Sequence, residues 1–427
     1  MPLVNMKDML DHAYAHGYAV GAFDLVGLDF LEAIVSGAER ARAPVILSLA
    51  ESHFEHFNFE LAMPAVEAAA RRACVPVAIH LDHGASMESA VKAIRLGANG
   101  VMVDTSHLSI FDNIAATRAL VETARACGVC VEGELGYVPG VEGEDAERHP
   151  GPVQYTTLAE ARAFAERTGV DCLAVSIGTV HGRMKGKPKL DWGRLKEINT
   201  ALGLPLVIHG GTGLSDDQFR KLITLGVAKI NYYTALADAA GDAIQAAARA
   251  GARSYTALLA DVRTAVAAEV ERCLRVWGAA GRAAEVLDRC RPWLNVEHLV
   301  VYNAPNLDAV RLQALMAEGQ RVLSAIPGVR EVTVGSAAEE GAPYRHCWLI
   351  RFSAPEVIES YKHHPDHVDF AGRLFRPAAA DRLTTDFCIA DLAAGAAALP
   401  LTGVSLMPPP LSNARNGWSL ADKPGAA

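Results

Sequence analysis

The chain has 427 residues, 51% hydrophobic and 21% charged, with a formal net charge of −9. That length holds several domains and a large core; the composition excludes intrinsic disorder, and the acidic balance argues against nucleic acid, whose binders carry a basic excess. No apolar run reaches the roughly 18 residues of a membrane span, and Asp8, Asp11 and His12 stand where a secretory signal needs apolar residues, so a cytoplasmic protein with its 8 cysteines reduced is expected.

In chain order, the first two-thirds alternates short β-branched runs with longer helical patterns. The runs are 19–23, 44–50, 76–81, 100–104, 129–135, 172–177, 205–209 and 229–233. Helical patterns cover 30–43, 60–73, 87–96, 114–128, 158–168 and 217–225, and Gly97, Gly128, Gly169 and Gly226 fall where helix C-caps are expected. The runs are continuously apolar, which suits strands covered on both faces in a parallel sheet. Eight such units match a closed (β/α)₈ TIM barrel. No G-x-G-x-x-G follows the first run, which weighs against the rival dinucleotide-binding open sheet. Long helices follow at about 235–250 and 255–277. The C-x-x-C of Cys127 and Cys130 lacks the second pair of a zinc ribbon and reads as packing.

The pattern changes near Arg282. Residues 283–296, with Pro292 and Trp293, read as a linker. Strand (298–302), helix (307–325), strand (330–335), strand (346–352), interrupted helix (356–375) and strand (383–389) then follow. That order indicates a smaller α+β, ferredoxin-like domain over 297–392. Residues 393–427, with Pro408, Pro409 and Pro410, are expected to be poorly ordered.

Polar residues gather at the ends of the barrel runs. Asp82 and His83 end the third (IHLDHG), Asp104 the fourth, and Glu132 and Glu134 lie in the fifth (VEGELG). His181 follows the sixth, His209 ends the seventh, and Asn231 lies in the eighth. In a barrel these ends share one rim, where active sites lie. Three histidines on one rim suit a His₃ metal site with an open position, the pattern of catalytic zinc. Asp104 and Glu134 are either partners that orient the histidines or alternate ligands. Gly210-Gly211-Thr212-Gly213 has the backbone freedom to hold a phosphate between the seventh and eighth strand ends.

In their order, IHLDHG, D-x-S-H (104–107), VEGELG, SIGTVHG, VIHGGTG, KINYYT, PKLDW (188–192) and GAAGR (278–282) resemble the class II, metal-dependent ketose-bisphosphate aldolases, over about 1–282. The resemblance implies catalytic zinc on His83, His181 and His209, with Asp104 and Glu134 at a second or alternate position. It implies Asp82 as the catalytic proton donor and Glu142 as the glutamate that moves the substrate proton. Gly182, Gly210, Gly211, Thr212, Asn231, Tyr232, Tyr233 and Thr234 match its dihydroxyacetone-phosphate site. The chemistry suits these residues: retro-aldol cleavage needs a base for a hydroxyl proton and an electrophile for the charge left on the ketone side. No Schiff-base lysine ends an inner strand, since Lys229 begins one.

The chain departs from that family at Asp24 and Gly27, in place of asparagines, and at Ala50, where many members carry a serine for the aldehyde-side phosphate. Thr105 replaces a glycine, and Tyr232 and Tyr233 replace smaller or acidic residues. The departures leave the aldehyde partner, and its phosphate, open.

Residues 297–390, through SAIPGVREVTVG, CWLIRFSAPEVIESYKHHPDHVDF and TTDFCIAD, resemble the stress-responsive A/B-barrel (Dabb) domain. Its units often pair sheet to sheet, which implies a homodimer or homotetramer. His363, His364 and His367 read as helix-capping or cavity-wall residues rather than metal ligands. Two functions follow: a zinc-dependent aldolase acting on a ketose phosphate, including one without a second phosphate, or a metal- and sugar-phosphate-binding protein without aldolase activity. Retention of both Asp82 and Glu142 favours the enzyme.

Overall fold

Eight short runs of small and β-branched residues form parallel strands that close into one barrel. They are β1 (Val20–Asp24), β2 (Val45–Ala50), β3 (Val77–Gly84), β4 (Gly100–Val103), β5 (Cys130–Leu135), β6 (Cys172–Val175), β7 (Leu206–Ile208) and β8 (Val227–Tyr232). Pairing of β1 with β8, Val20 opposite Lys229 and Phe23 opposite Tyr232, completes the ring. Every residue of β1, β2, β5 and β8 is buried, because helices cover the outside while side chains fill the inside. β7 is shorter than its apolar run suggests, so His209, like His181 after β6, lies in the loop beyond its strand. The computed structural model describes residues 1–140, 144, 154–183, 189–379 and 381–389; Glu142 and the proline-rich tail lie outside these.

The end of the barrel opposite the strand C-termini is sealed. The Met6–His16 helix, capped by Asn5, buries Met6, Met9, Leu10 and Ala13 there. Gly100, first in β4, admits this helix: a Cβ would lie 2.1 Å from the Met6 sulfur. The stretch expected as a linker is structured. It holds the Ala283–Arg289 helix, and buried Trp293 donates its backbone N–H to the Leu3 carbonyl at 2.9 Å. Pro292 and Trp293 serve to strap this segment across the barrel floor, with Val4 bridged to Pro292.

The second sheet comprises β9 (Val296–Asn303), β10 (Val329–Ser336), β11 (His346–Phe352) and β12 (Asp381–Cys388), antiparallel in the order β10-β11-β9-β12. Val300, Trp348 and Ile350 on one face are buried, with Phe370 5.8 Å from Trp348 between ring centroids. The domain is docked on the barrel. Arg330 grips both oxygens of Glu67, at 2.8 and 2.6 Å, and donates to the Arg95 carbonyl at 3.1 Å. The Ser360 hydroxyl reaches the Ala126 carbonyl at 2.9 Å. Both cysteines of the C-x-x-C are buried and unbridged, as packing requires. Among the described residues no helix is long and apolar enough to cross a membrane.

Candidate metal centre

Strand alternation places the site's charges. In β3, His80 and Asp82 are two residues apart and both fully buried inside the barrel. Strict alternation would aim His83 outward. A register irregularity between Leu81 and Gly84, with His83 at φ +44°, turns it into the mouth instead. A bulge re-aims a side chain in this way, and a non-glycine residue in the left-handed region costs on the order of 1–3 kcal/mol. Two consecutive residues thereby face one site.

The three histidines converge. Their ring centroids lie 5.2 Å apart for His83–His181, 4.8 Å for His83–His209 and 5.8 Å for His181–His209. One ring nitrogen of each lies within 4.8 Å of the others, and a second set, His83, Asp104 and Glu134, meets the same limit. His83 Nδ1 pairs with Asp104 Oδ2 at 3.0 Å, and His209 Nε2 with Glu132 Oε1 at 2.9 Å. Carboxylates thus hold one nitrogen of each of these rings and turn the other inward. His83 Nε2, His209 Nδ1 and Glu134 Oε2 are buried without a hydrogen-bond partner among the described residues. Buried polar atoms are normally paired, so this donor set fits a zinc ion with room for a further ligand.

Charge reinforces that fit. Burial alone would lower the basicity of His83, but Asp82, the Asp104 hydrogen bond and Glu134 carry it well above the ordinary histidine range. The site therefore attracts positive charge. Burial pushes the Glu134 carboxyl up. Burial also works against ionised Asp82, yet His83, Lys229 and His209 hold it below the usual carboxylate range. Asp82 Oδ2 accepts from Asn231 Nδ2 at 2.8 Å, while Oδ1 accepts no hydrogen bond among the described residues. An ionised carboxylate beside the histidines is a candidate base.

The remaining expected residues divide. Gly182 and Gly210 are left-handed, at φ +83° and +71°. A Cβ on Gly210 would lie 2.1 Å from the Val180 carbonyl, so this glycine lets the loops after β6 and β7 pass closely. Gly211 and Thr212 follow at the same mouth, and Thr234 opens the helix after β8. Asn231 bridges two protein groups, accepting from Lys229 Nζ at 2.5 Å while it donates to Asp82. β8 turns Lys229 and Asn231 inward, so the Tyr232 ring faces outward, away from the mouth. It packs 5.4 Å from Trp277 and donates its hydroxyl to Glu269 at 3.0 Å. Tyr233 does lie on the mouth side, its ring 4.3 Å from His53 after β2.

Sequence reasoning passed over the layer beneath. Lys229, fully buried, pairs with Glu132 at 2.7 Å, and His80 lies 3.7 Å from Glu132 and 3.8 Å from Asp82. Burial would raise the Glu132 carboxyl, but Lys229 and the His209 hydrogen bond hold it down at about 2. The signal was the period of two: His80 with Asp82, Glu132 with Glu134, Lys229 with Asn231. In the second domain, His364 caps the Pro365–Phe370 helix, as expected, and the His367 ring packs 4.3 Å from Tyr361.

Residues 4–282 match the family model described as fructose-bisphosphate aldolase class-II, and residues 296–389 match the stress responsive A/B barrel domain. A fructose-bisphosphate aldolase of Geobacillus stearothermophilus is 38% identical over 290 residues, covering 67% of this chain and all of the relative. A probable fructose-bisphosphate aldolase of Bacillus subtilis is 45% identical over 237 residues, 55% of this chain and 82% of the relative. The crystal structure of a putative fructose-1,6-biphosphate aldolase from Coccidioides immitis is similar at 31% identity and a TM-score of 0.61, covering 66% of this chain and 98% of that one. The YdjI aldolase of Escherichia coli K12 is similar at 32% identity and 0.58, covering 66% and 99%. The chain belongs to the class II fructose-bisphosphate aldolase family of lyases, with a Dabb domain following its barrel.

Proposed function

Starting from that membership, we propose that the protein is a zinc-dependent aldolase that reversibly cleaves a ketose phosphate to dihydroxyacetone phosphate and an aldehyde. The convergence of His83, His181 and His209 beside Asp82 carries this reading. Zinc held by the three histidines, with Asp104 and Glu134 offering an alternate position, supplies a Lewis acid for the ketose carbonyl. Asp82 takes the proton from the hydroxyl of the bond-cleaving carbon, its carboxylate held in place by Asn231 at Oδ2. In the synthetic direction it returns that proton, the donor role that the family pattern gives it. Glu142 delivers a proton to the carbon of the ketone-side fragment. Gly182, Gly210, Gly211, Thr212 and Thr234 cradle the ketone-side phosphate. Lys229 is no Schiff-base nucleophile, because its ammonium is buried against Glu132.

The aldehyde side carries a different substrate preference. Ala50 ends β2 directly opposite Asp82 and has no hydroxyl to offer a second phosphate. Tyr233 and His53 place two rings at the same part of the rim. A ketose 1-phosphate, lacking the second phosphate, is the preferred substrate. The test is kcat/KM for fructose 1,6-bisphosphate against ketose 1-phosphates, in wild type and Ala50→Ser. One hydrogen bond to a charged group is worth about 1.5–3 kcal/mol, so Ala50→Ser should improve use of the bisphosphate roughly tenfold to a hundredfold. A wild type that strongly prefers the bisphosphate, with no gain in Ala50→Ser, overturns the preference and leaves the aldolase reading intact.

The exposed face of the second sheet supports self-association. Across its strands lie rows such as Gly335, Cys347, Val301 and Leu383, then Thr333, Leu349, Leu299 and Thr385. Leu349, Leu383 and Phe387 are 40–50% exposed there. A one-sided sheet with an apolar outer face needs a cover, and a second copy supplies one by pairing like with like.

A further inference from the structure

A second histidine cluster lies at the barrel floor, where the aldol chemistry has no use for it. His12 and His16 are one turn apart on the Met6–His16 helix, so their side chains share a face. Their rings stack with centroids 4.0 Å apart. Each Nδ1 is engaged: that of His12 with the Tyr18 hydroxyl at 2.9 Å, that of His16 with the His12 carbonyl at 2.8 Å. A carbonyl only accepts, so His16 Nδ1 carries the proton and its Nε2 the lone pair in the neutral ring. The Tyr18 hydroxyl accepts equally well from His12 Nδ1, which leaves His12 Nε2 in the same state.

Both Nε2 atoms then meet one carboxylate oxygen. Glu285 Oε1, on the Ala283–Arg289 helix, lies 3.4 Å from His12 Nε2 and 3.5 Å from His16 Nε2. The other oxygen, Oε2, accepts from Arg282 at 3.1 Å, which fixes the carboxylate and leaves Oε1 to the histidines. His12 Nε2 is buried without a hydrogen-bond partner among the described residues. Around a tetrahedral zinc with bonds of about 2.0–2.1 Å, ligand atoms lie about 3.3–3.4 Å apart. The two spacings to Glu285 are close to that edge. His16 is 43% exposed at its side chain, so the cluster opens on one side to water as a fourth ligand.

We propose that His12, His16 and Glu285 form a second, structural metal site for a borderline divalent cation such as zinc. The donors are two imidazoles and one carboxylate, a set suited to zinc rather than magnesium or calcium. The ion joins the helix that floors the barrel to the helix that leads toward the second domain. Arg282 beside Glu285 opposes the cation, whereas acidic groups surround the catalytic cluster, so the floor ion is the weaker one and leaves first under chelation.

The experiment uses the full chain, stripped with chelator and titrated with zinc alone. Wild type should bind one zinc more than His16→Gln, with unchanged retro-aldol activity at saturating zinc. His181→Ala should still bind zinc at the floor and gain thermal stability from it. Adding His16→Gln or Glu285→Gln to His181→Ala should weaken that binding at least tenfold and remove the shift in Tm. An exposed control, His363→Gln, should change nothing. Equal zinc binding by wild type and His16→Gln overturns the site, as does zinc uptake by His181→Ala that neither added substitution alters. If His181→Ala fails to fold, the wild-type and His16→Gln difference decides alone.

Discussion

The two sheets place their residues in opposite ways. The barrel encloses charge: Asp82, Glu132 and Lys229 are fully buried inside it, and its apolar side chains face the covering helices. The second sheet encloses aromatic and aliphatic residues under its helices and leaves Leu349, Leu383 and Phe387 facing out. Closure explains the difference. A ring of strands has no edge and no free face, so opposite charges meet inside it at short range and low dielectric, where pairing is strong. An open sheet of four strands has a second face, and apolar residues there call for a partner. On the proposed reading, interior charge in this chain serves chemistry and exterior apolarity serves assembly.

The sharpest way to break the first half of that contrast is His181→Ala. It should lose zinc and retro-aldol activity together, and loss of several kcal/mol of Lewis-acid stabilisation means a rate lower by about three orders of magnitude or more. Elemental analysis beside the cleavage assay checks it; full activity in excess chelator would sink the zinc reading. Asp82→Ala separates proton transfer from metal holding. Zinc content should stay at the wild-type level while cleavage falls about 10²–10⁴-fold. Retained cleavage would move the base to another residue. Glu142→Ala should instead slow solvent deuterium exchange into dihydroxyacetone phosphate, and an unchanged exchange rate would remove Glu142 from its role.

The junction of the two regions gives a smaller effect with a sign in pH. Burial would raise the Glu67 carboxyl, but Arg330 and Arg71 hold it at about 2, from an ordinary 4.5. A carboxyl lowered on folding stabilises the native state fully above about 4.5, and that contribution disappears as pH falls toward about 2. Arg330→Ala should cost about 3 kcal/mol at pH 7, near the low end for a buried pair because Arg71 remains on Glu67. Denaturant midpoints at pH 7, 4.5 and 3 should show the gap between wild type and variant narrowing in acid; a constant gap would deny the ion pair its role. Smallest in stability is Leu349→Arg, on the open face. It should shift the protein toward monomer by light scattering and change stability by no more than about 0.5 kcal/mol, as surface substitutions do. A wild type that is monomeric at micromolar concentration would leave the exposed face without its partner.

Much was legible because local pattern carried it. Short continuous apolar runs suit strands covered on both sides, and eight of them with glycine-closed helices allow few topologies. Polar residues at successive run ends marked the mouth, since packing gives no reason for them. Interior geometry was less legible. His80 and Lys229 sat in apolar runs at the right period, yet their meeting with Glu132 depends on which strands become neighbours across the ring. Tyr232 and Tyr233 are adjacent in sequence, and only the facing of β8 sends one to Trp277 and the other to His53.

By itself, the sequence determined the barrel, the appended sheet and the identity of the converging histidines, because periodicity and residue type act over a few neighbouring positions. Tertiary structure alone decided three things. The irregularity in β3 turned His83 into the mouth beside Asp82, a backbone deviation that no composition announces. The stretch around Pro292 and Trp293 became a strap because residues almost 290 positions earlier lie beneath it. His12 and His16 met Glu285 only when the Met6–His16 helix and the Ala283–Arg289 helix packed side by side, since contacts between distant segments follow from closure of the chain as a whole.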